Sequence, residues 1–306
     1  MAYYTGTATS SADLITAITN AAVAKSWVLN TGTILTKGNV NAQLSEWSPR
    51  SGLAGVGLQV GTGQSAGSLT DASATIVGIR GDVQELYGYV PLAYPVTYHI
   101  FINTVPDEIV VAINYSSLYW KWIGFGQSTV LGVSGTGIYC WGSDMGYTAT
   151  AAASSSGFQV TSGAGFAVNN PCFYHYGYPG PTSYIHLAFD SQDWWGNEQY
   201  NYHVRGYISV GTMLRQQPNT WNNEAVLIRT QIVALRASSF WSYVAELPHF
   251  RWLRNTYLED GSVLSLGSDD WFVAPIVKKN LTTPDGTTAN NNCHSGTTAF
   301  AVRKTP

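Results

Sequence analysis

Cys172 and His175 form a C-x-x-H pair, Cys293 and His294 are adjacent, and His186 lies four residues before Asp190. Thiols and imidazoles at such spacings raise metal binding first. A zinc site needs four ligands in a tetrahedral array. Adjacent Cys and His rarely reach one ion together, and the chain has no second C-x-x-C pair. A 2-His-1-carboxylate iron site could be drawn from His175, His186 and Asp190, but nothing in their spacing fixes a geometry. Buried thiols are the favoured reading, with no metal and no cofactor.

The acids raise glycoside chemistry. Glu259–Asp260 and Asp269–Asp270 are neighbours, and Asp190 and Asp193 precede Trp194 and Trp195. Hydrolysis needs two carboxylates at a set separation across a sugar. Neighbours on a strand point to opposite faces, so Asp269 and Asp270 read as turn residues. The stretch Asp190 to Trp195 is the best sugar-like signal, because a Trp face can stack on a pyranose. The chain has no G-x-S-x-G and no Walker loop. "GVGLQVGTG" is not followed by a helix, so it is a poor dinucleotide fingerprint. The expectation is a protein that is not an enzyme.

The elements that must position these residues are mostly strands. Trp, Tyr, Gly, Ser and Thr are abundant, which favours β structure with many turns. "SSADLITAITNAAVAKSW" is the exception. Leu14, Ile15, Ile18, Ala21 and Ala22 recur at helical spacing, Ser10 or Ser11 can cap, and Asp13 meets the dipole. The spacing predicts a helix over 12–25. "WVLNTGTILTKGNVNAQLSEW" reads as short strands with polar turns, and "GLAGVGLQVGTGQSAGSLT" as a strand with an irregular loop.

From Pro95 a hairpin runs through the turn "NTVPDE". Tyr98, Ile100 and Ile102 alternate with His99 and Phe101. Ile109, Val111 and Ile113 alternate with Val110 and Ala112. Both faces are apolar, so both should be covered. Trp120, Trp122 and Phe125 follow as core or as an interface edge. The segment from Gly135 to Thr220 reads as a loop-rich elaboration between core strands. "EAVLIRTQIVALRASSFWSYVAELPHFRWLR" reads as a strand followed by a short helical or extended turn. "GSVLSLGSDDWFVAPIVKKN" reads as two strands about a Gly-Ser-Asp-Asp turn, and "HSGTTAFAVRK" as a strand closing a sheet. The fold class is α+β: predominantly antiparallel β with a short N-terminal helix, in sandwich-like sheets. The chain of 306 residues reads as a single unit over 1–306, with the elaboration at 135–220.

Charged residues are 11% of the chain, well under the quarter usual in soluble domains. Such a surface fits one covered by other chains. The net charge of −3, with no basic block, argues against nucleic acid. Three scattered cysteines fit folding in a reducing cytoplasm. The N-terminus lacks the basic and apolar regions of a signal peptide, and no apolar run reaches the roughly 18 residues of a membrane span.

The stretches "MAYYTGTATSSADLITAI", "YHIFINTVPDEIVVAINYSSLYWKWIGFGQST", "DDWFVAPIVKKN" and "HSGTTAFAVRK" together resemble a group of virion structural proteins of tailed bacteriophages. The likeness covers about 1–129 and 225–304. Its motifs are those of packing and turns, so they carry a family and not a chemistry. The resemblance implies a component of the neck or collar, where rings of identical chains join capsid to tail, with tail or baseplate as the second placement. It implies assembly in the host cytoplasm and a final place in the virion. Partners would be other copies of the chain and other virion proteins, with neither nucleic acid nor membrane. The interface candidates are Trp120, Trp122, Phe173, Tyr174, Tyr176, Trp194, Trp195, Tyr200 and Tyr202. A carbohydrate-binding, receptor-recognising module is the alternative from another class, with Trp194 and Trp195 stacking on sugar and Asp190 and Asp193 binding hydroxyls.

Overall fold

A computed structural model describes residues 1–47, 54–79, 92–145, 172, 183–190, 192–197, 204–206, 225–236, 240–282 and 295–305. Strands dominate it, every described strand pair is antiparallel, and one α-helix stands near the N-terminus. The expected fold class is the one observed.

The helix α1 spans Ser11–Val23, one residue earlier at its start and two shorter at its end than its periodicity predicts. Ser10 is the cap. Its backbone is extended and its hydroxyl accepts the Asp13 backbone N–H, while the Asp13 carboxylate accepts from the backbone N–H and hydroxyl of Thr9. Leu14, Ile15, Ile18, Ala21 and Ala22 are all buried, so the predicted stripe is the packed face.

The first sheet runs in the order β1 (Ala2–Ala8), β8 (Val96–Asn103), β9 (Glu108–Tyr115), β10 (Tyr119–Gln127), β12 (Ile138–Gly142), β14 (Ser183–Phe189) and β15 (Gln192–Gly196). Its register places residues in rows across the strands. His99, Ala112 and Trp122 share one row, and Phe101, Val110, Gly124 and Trp141 the next. Ile100, Val111 and Ile123 make a row on the opposite face. All of these except the part-exposed His99 and Gly124 belong to the buried core, and Gly124 is itself buried.

The second sheet covers one face. Its order is β16 (Val204–Gly206), β17 (Ile228–Leu235), β18 (Trp241–Arg254), β21 (Thr298–Arg303), β20 (Asp269–Pro275) and β19 (Ser262–Leu266), with β11 (Thr129–Val130) paired to β18. Trp122 meets Phe300 edge-on at 5.2 Å, Trp141 meets Phe250 at 5.1 Å, and Phe101 lies 5.1 Å from Phe272. Such tilted and edge-on pairs add to the burial that holds the sheets together. A Cβ on Gly124 would fall 2.4 Å from the Trp141 ring, so glycine there lets the indole lie across the strand.

The third sheet covers the other face with α1. Its order is β13 (Asp144–Met145), β7 (Val77–Ile79), β5 (Gly55–Ser65), β4 (Val40–Trp47), β3 (Ile34–Lys37) and β2 (Val28–Asn30), with β6 (Ser68–Ala72) paired to β5. Cys140 of the first sheet reaches Ser73, and the Tyr184 hydroxyl lies 2.7 Å from Thr75. The result is three layers with the predicted hairpin in the middle one. That is why its strands are apolar on both faces.

Several expectations change. "GVGLQVGTGQS" is one eleven-residue strand, and it turns through Ala66 and Gly67 into β6. Both turn residues have positive φ, the conformation that a tight two-residue hairpin needs. The stretch after Ala225 holds no helical turn among its described residues: β17 and β18 are two long strands with irregular register. The last strand, β21, closes its sheet from inside, between β18 and β20. The described strands within 135–220 belong to all three sheets: β12, β14 and β15 to the first, β13 to the third and β16 to the second.

Candidate interaction site

Trp120 and Trp122 are 4% and 0% exposed, so they are core side chains and present nothing to a partner. Trp122 donates its indole N–H to the Pro275 carbonyl at 2.9 Å, which ties β10 to the end of β20. Trp195, 2% exposed, is core as well. Its indole N–H lies 3.2 Å from the carbonyls of both Leu187 and Gln192, and its ring packs 5.3 Å from Phe189. It pins the β14–β15 hairpin from inside. Strand alternation then turns its neighbour outward.

That neighbour, Trp194, is half-buried and lies opposite His186 in the register, with ring centroids 5.1 Å apart. Its indole N–H donates to the backbone carbonyl of Asp71 at 3.1 Å and to Asp71 Oδ1 at 3.2 Å. Asp71, next to last in β6, has a left-handed backbone, φ 45°. Its Oδ2 accepts from the Thr62 hydroxyl at 2.7 Å and lies 3.4 Å from His186 Nε2. The other ring nitrogen of His186, Nδ1, is 3.0 Å from Thr136 Oγ1. Hydroxyl, imidazole and carboxylate thus stand in the order of a proton relay. Here the carboxylate is already taken by Thr62 and Trp194, and the array clasps the edge hairpin of the first sheet to β6 of the third. The carboxylate beside Trp194 is that of Asp71, which the sequence reading passed over. Asp190, at the hairpin turn, and Asp193 are exposed. Phe173, Tyr174, Tyr176, Tyr200 and Tyr202 lie outside the described residues, as do His175, Cys293 and His294.

Among the described residues no three His, Cys, Asp or Glu side chains gather in a way that could hold a metal ion. Cys140 and Cys172 are buried free thiols. Burial pushes the Cys140 thiol up to about 12, and burial with the nearby Glu108 pushes Cys172 well up. Both are poor nucleophiles in that state.

Two polar groups are built between or along the sheets. Glu108, fully buried, accepts from the Tyr139 hydroxyl at 2.7 Å and from Asn103 Nδ2 at 3.0 Å. His249 of β18 brings Nδ1 to 2.9 Å from Glu108 Oε1, though poorly directed for a hydrogen bond. On the second sheet Glu246 binds Arg229 and lies 3.6 Å from Arg251. Burial alone would raise the Glu246 carboxyl, and the Arg229 hydrogen bonds with both guanidinium charges overcome it, leaving it below the usual range.

His99 is the clearest titrating group. Tyr3 Oη lies 2.8 Å from its Nδ1, Phe272 stands 4.6 Å from its ring, and Lys304 lies over Tyr3. Burial first, and the Lys304 charge second, lower its pKa from 6.5 to about 4. The folded state therefore binds fewer protons than the unfolded chain between those values, so stability falls as pH drops from about 6.5 to about 4. Urea midpoints measured across that window should fall less steeply for His99→Gln than for the parent. Equal slopes would show that His99 does not carry that part of the acid sensitivity.

No protein-family model matches this sequence, and no curated protein matches it. The fold and site define its class as a three-layered antiparallel β protein with an aromatic core, in which the described polar clusters sit between or along the sheets.

Proposed function

We propose that the chain is a structural component of a tailed-phage virion, placed at the neck or collar and acting through contacts between subunits. The observation that carries this reading is where its apolar side chains stay exposed. Val28 and Leu29 stand on β2, Val263 and Leu266 on β19, and Phe240 and Trp241 at the start of β18, on a chain with little charge to keep them in water. Isolated exposed apolar residues are ordinary, but here four of them stand on the edge strands β2 and β19, where another chain can add. The resemblance of both ends of the chain to virion structural proteins supports the same reading. Titratable groups committed to internal contacts support a role without catalysis. Tail or baseplate is the second placement.

Mass spectrometry and immunogold imaging of purified particles test this reading. Several copies per particle at the head–tail junction are expected, and absence from particles would overturn it. Trp194→Ala probes the site. The isolated protein should stay folded, because Trp195 still pins the hairpin. Incorporation into particles should fall roughly tenfold or more, the loss of an aromatic anchor worth about 2 kcal/mol. One observation favours carbohydrate instead: Trp194 is part-exposed beside Asp71 and Thr62, a ring flanked by hydroxyl-binding groups. Specific glycan binding lost in Trp194→Ala, with incorporation unchanged, would establish that second reading in place of the first.

A further inference from the structure

β2 ends the third sheet and β19 ends the second, and no described strand pairs with the outer edge of either. Neither strand, "VLN" or "SVLSL", carries a charge. Proteins that avoid edge pairing place charges, prolines or bulges on such strands. Here both edges instead show apolar side chains: Val28 is 58% and Leu29 47% exposed, Val263 42% and Leu266 37%. Main-chain groups on an open edge are also ready to pair with a strand added from outside.

The charges around the two edges differ in sign. Between Asp13 and Glu46 the chain holds Lys25 and Lys37 and no acid. Lys37 pairs with Asp107 at 2.8 Å, and Lys25 lies three residues before β2. Around β19 stand Glu259 and Asp260 before the strand and Asp269 and Asp270 after its turn. Arg303 pairs with Asp269 at 2.5 Å, Lys304 lies near Asp270, and Lys279 lies near Asp260 and Glu259. One carboxylate remains in excess. Two β2 edges brought together would oppose lysines, and two β19 edges would oppose acids. One of each is matched in charge, in apolar character and in lacking a strand partner.

Resting on the reading that like chains assemble, we infer that the β2 edge of one copy pairs with the β19 edge of the next, so that the third sheet of one subunit continues into the second sheet of its neighbour. The contact is head-to-tail, the type that closes into rings when the rotation between subunits permits. Because the matched charges are exposed, raised salt weakens it.

Two exposed substitutions test it on the full-length chain. Leu29→Glu sets an acid against the acidic edge, and Val263→Lys sets a cation against the lysine edge. Light scattering should find the parent oligomeric and each variant alone monomeric. An equimolar mixture should then associate again, because each variant keeps one intact edge, the two intact edges differ, and the introduced acid and cation are themselves of opposite sign. A monomeric parent, a variant that keeps the parent mass, or a mixture that stays monomeric would each overturn the contact. Val28→Glu and Leu266→Lys replace either variant that circular dichroism shows misfolded. Particle content reads the virion role separately. A chain present in particles whose edge variants still assemble leaves that role standing and removes this contact.

Discussion

Val111→Asp is expected to yield no soluble, folded protein. Val111 is fully buried in the middle strand pair of the middle layer, in one row with Ile100 and Ile123. The third sheet and α1 lie over that face, so a carboxylate there has no route to water. An unpaired buried charge costs several kcal/mol, comparable to a domain's whole stability of roughly 5–15 kcal/mol. Val111→Ala separates charge from volume. It removes only methyl groups, costs about 2 kcal/mol, and should leave a folded protein with a lowered urea midpoint. Soluble yield and circular dichroism decide the matter. A Val111→Asp protein that is soluble and parent-like would mean that this face of the hairpin is open.

Local signals carried part of this fold into the sequence. Ser10, Asp13 and the Leu14–Ile18–Ala22 stripe announce α1 within their own turn lengths. Ile100, Ile102, Val111 and Ile113 alternate strictly, and all four are buried. The β19–β20 hairpin forms where its residue types place it, but the turn is Gly267 and Ser268 alone: Asp269 and Asp270, read as turn residues, open β20 opposite Leu266 and Ser265. Long-range pairing had no such signal. Trp194 finds its carboxylate in Asp71, 123 residues earlier, and nothing near Trp194 in sequence points there. Trp120 and Trp122 are core while Trp194 is part-exposed, although all three are tryptophans near other aromatics. Residue type alone cannot separate an anchor from a core ring when core and interface draw on the same side chains. Position inside a sheet is likewise a matter of partners: β21 reads as a strand closing a sheet, and only the pairing of Val302 and Phe300 with β18 on one side and β20 on the other puts it between two strands.

The second large effect comes from a polar residue. Glu108→Ala is expected to destabilise the protein by about 2–6 kcal/mol, the cost of leaving two buried donors without their acceptor. The carboxylate begins β9 in the row of Asn103 and Tyr139, on the face turned toward the second sheet, where His249 approaches from β18. Its loss leaves the Tyr139 hydroxyl and Asn103 Nδ2 without their acceptor, and the His249 ring without the carboxylate beside it. Each stranded buried group costs on the order of 1–3 kcal/mol, which agrees with that range. The loss of Cγ and the carboxylate group adds a small cavity between two layers. Glu108→Gln keeps the size and one acceptor oxygen, so its cost should be smaller. Glu108→Leu combined with His249→Phe removes carboxylate and imidazole together and fills the space with apolar groups. That double variant should recover part of the stability lost in Glu108→Ala. Urea unfolding of the four proteins measures these differences directly. If Glu108→Ala unfolds within about 1 kcal/mol of the parent, water already reaches this carboxylate and the first and second sheets do not close over it.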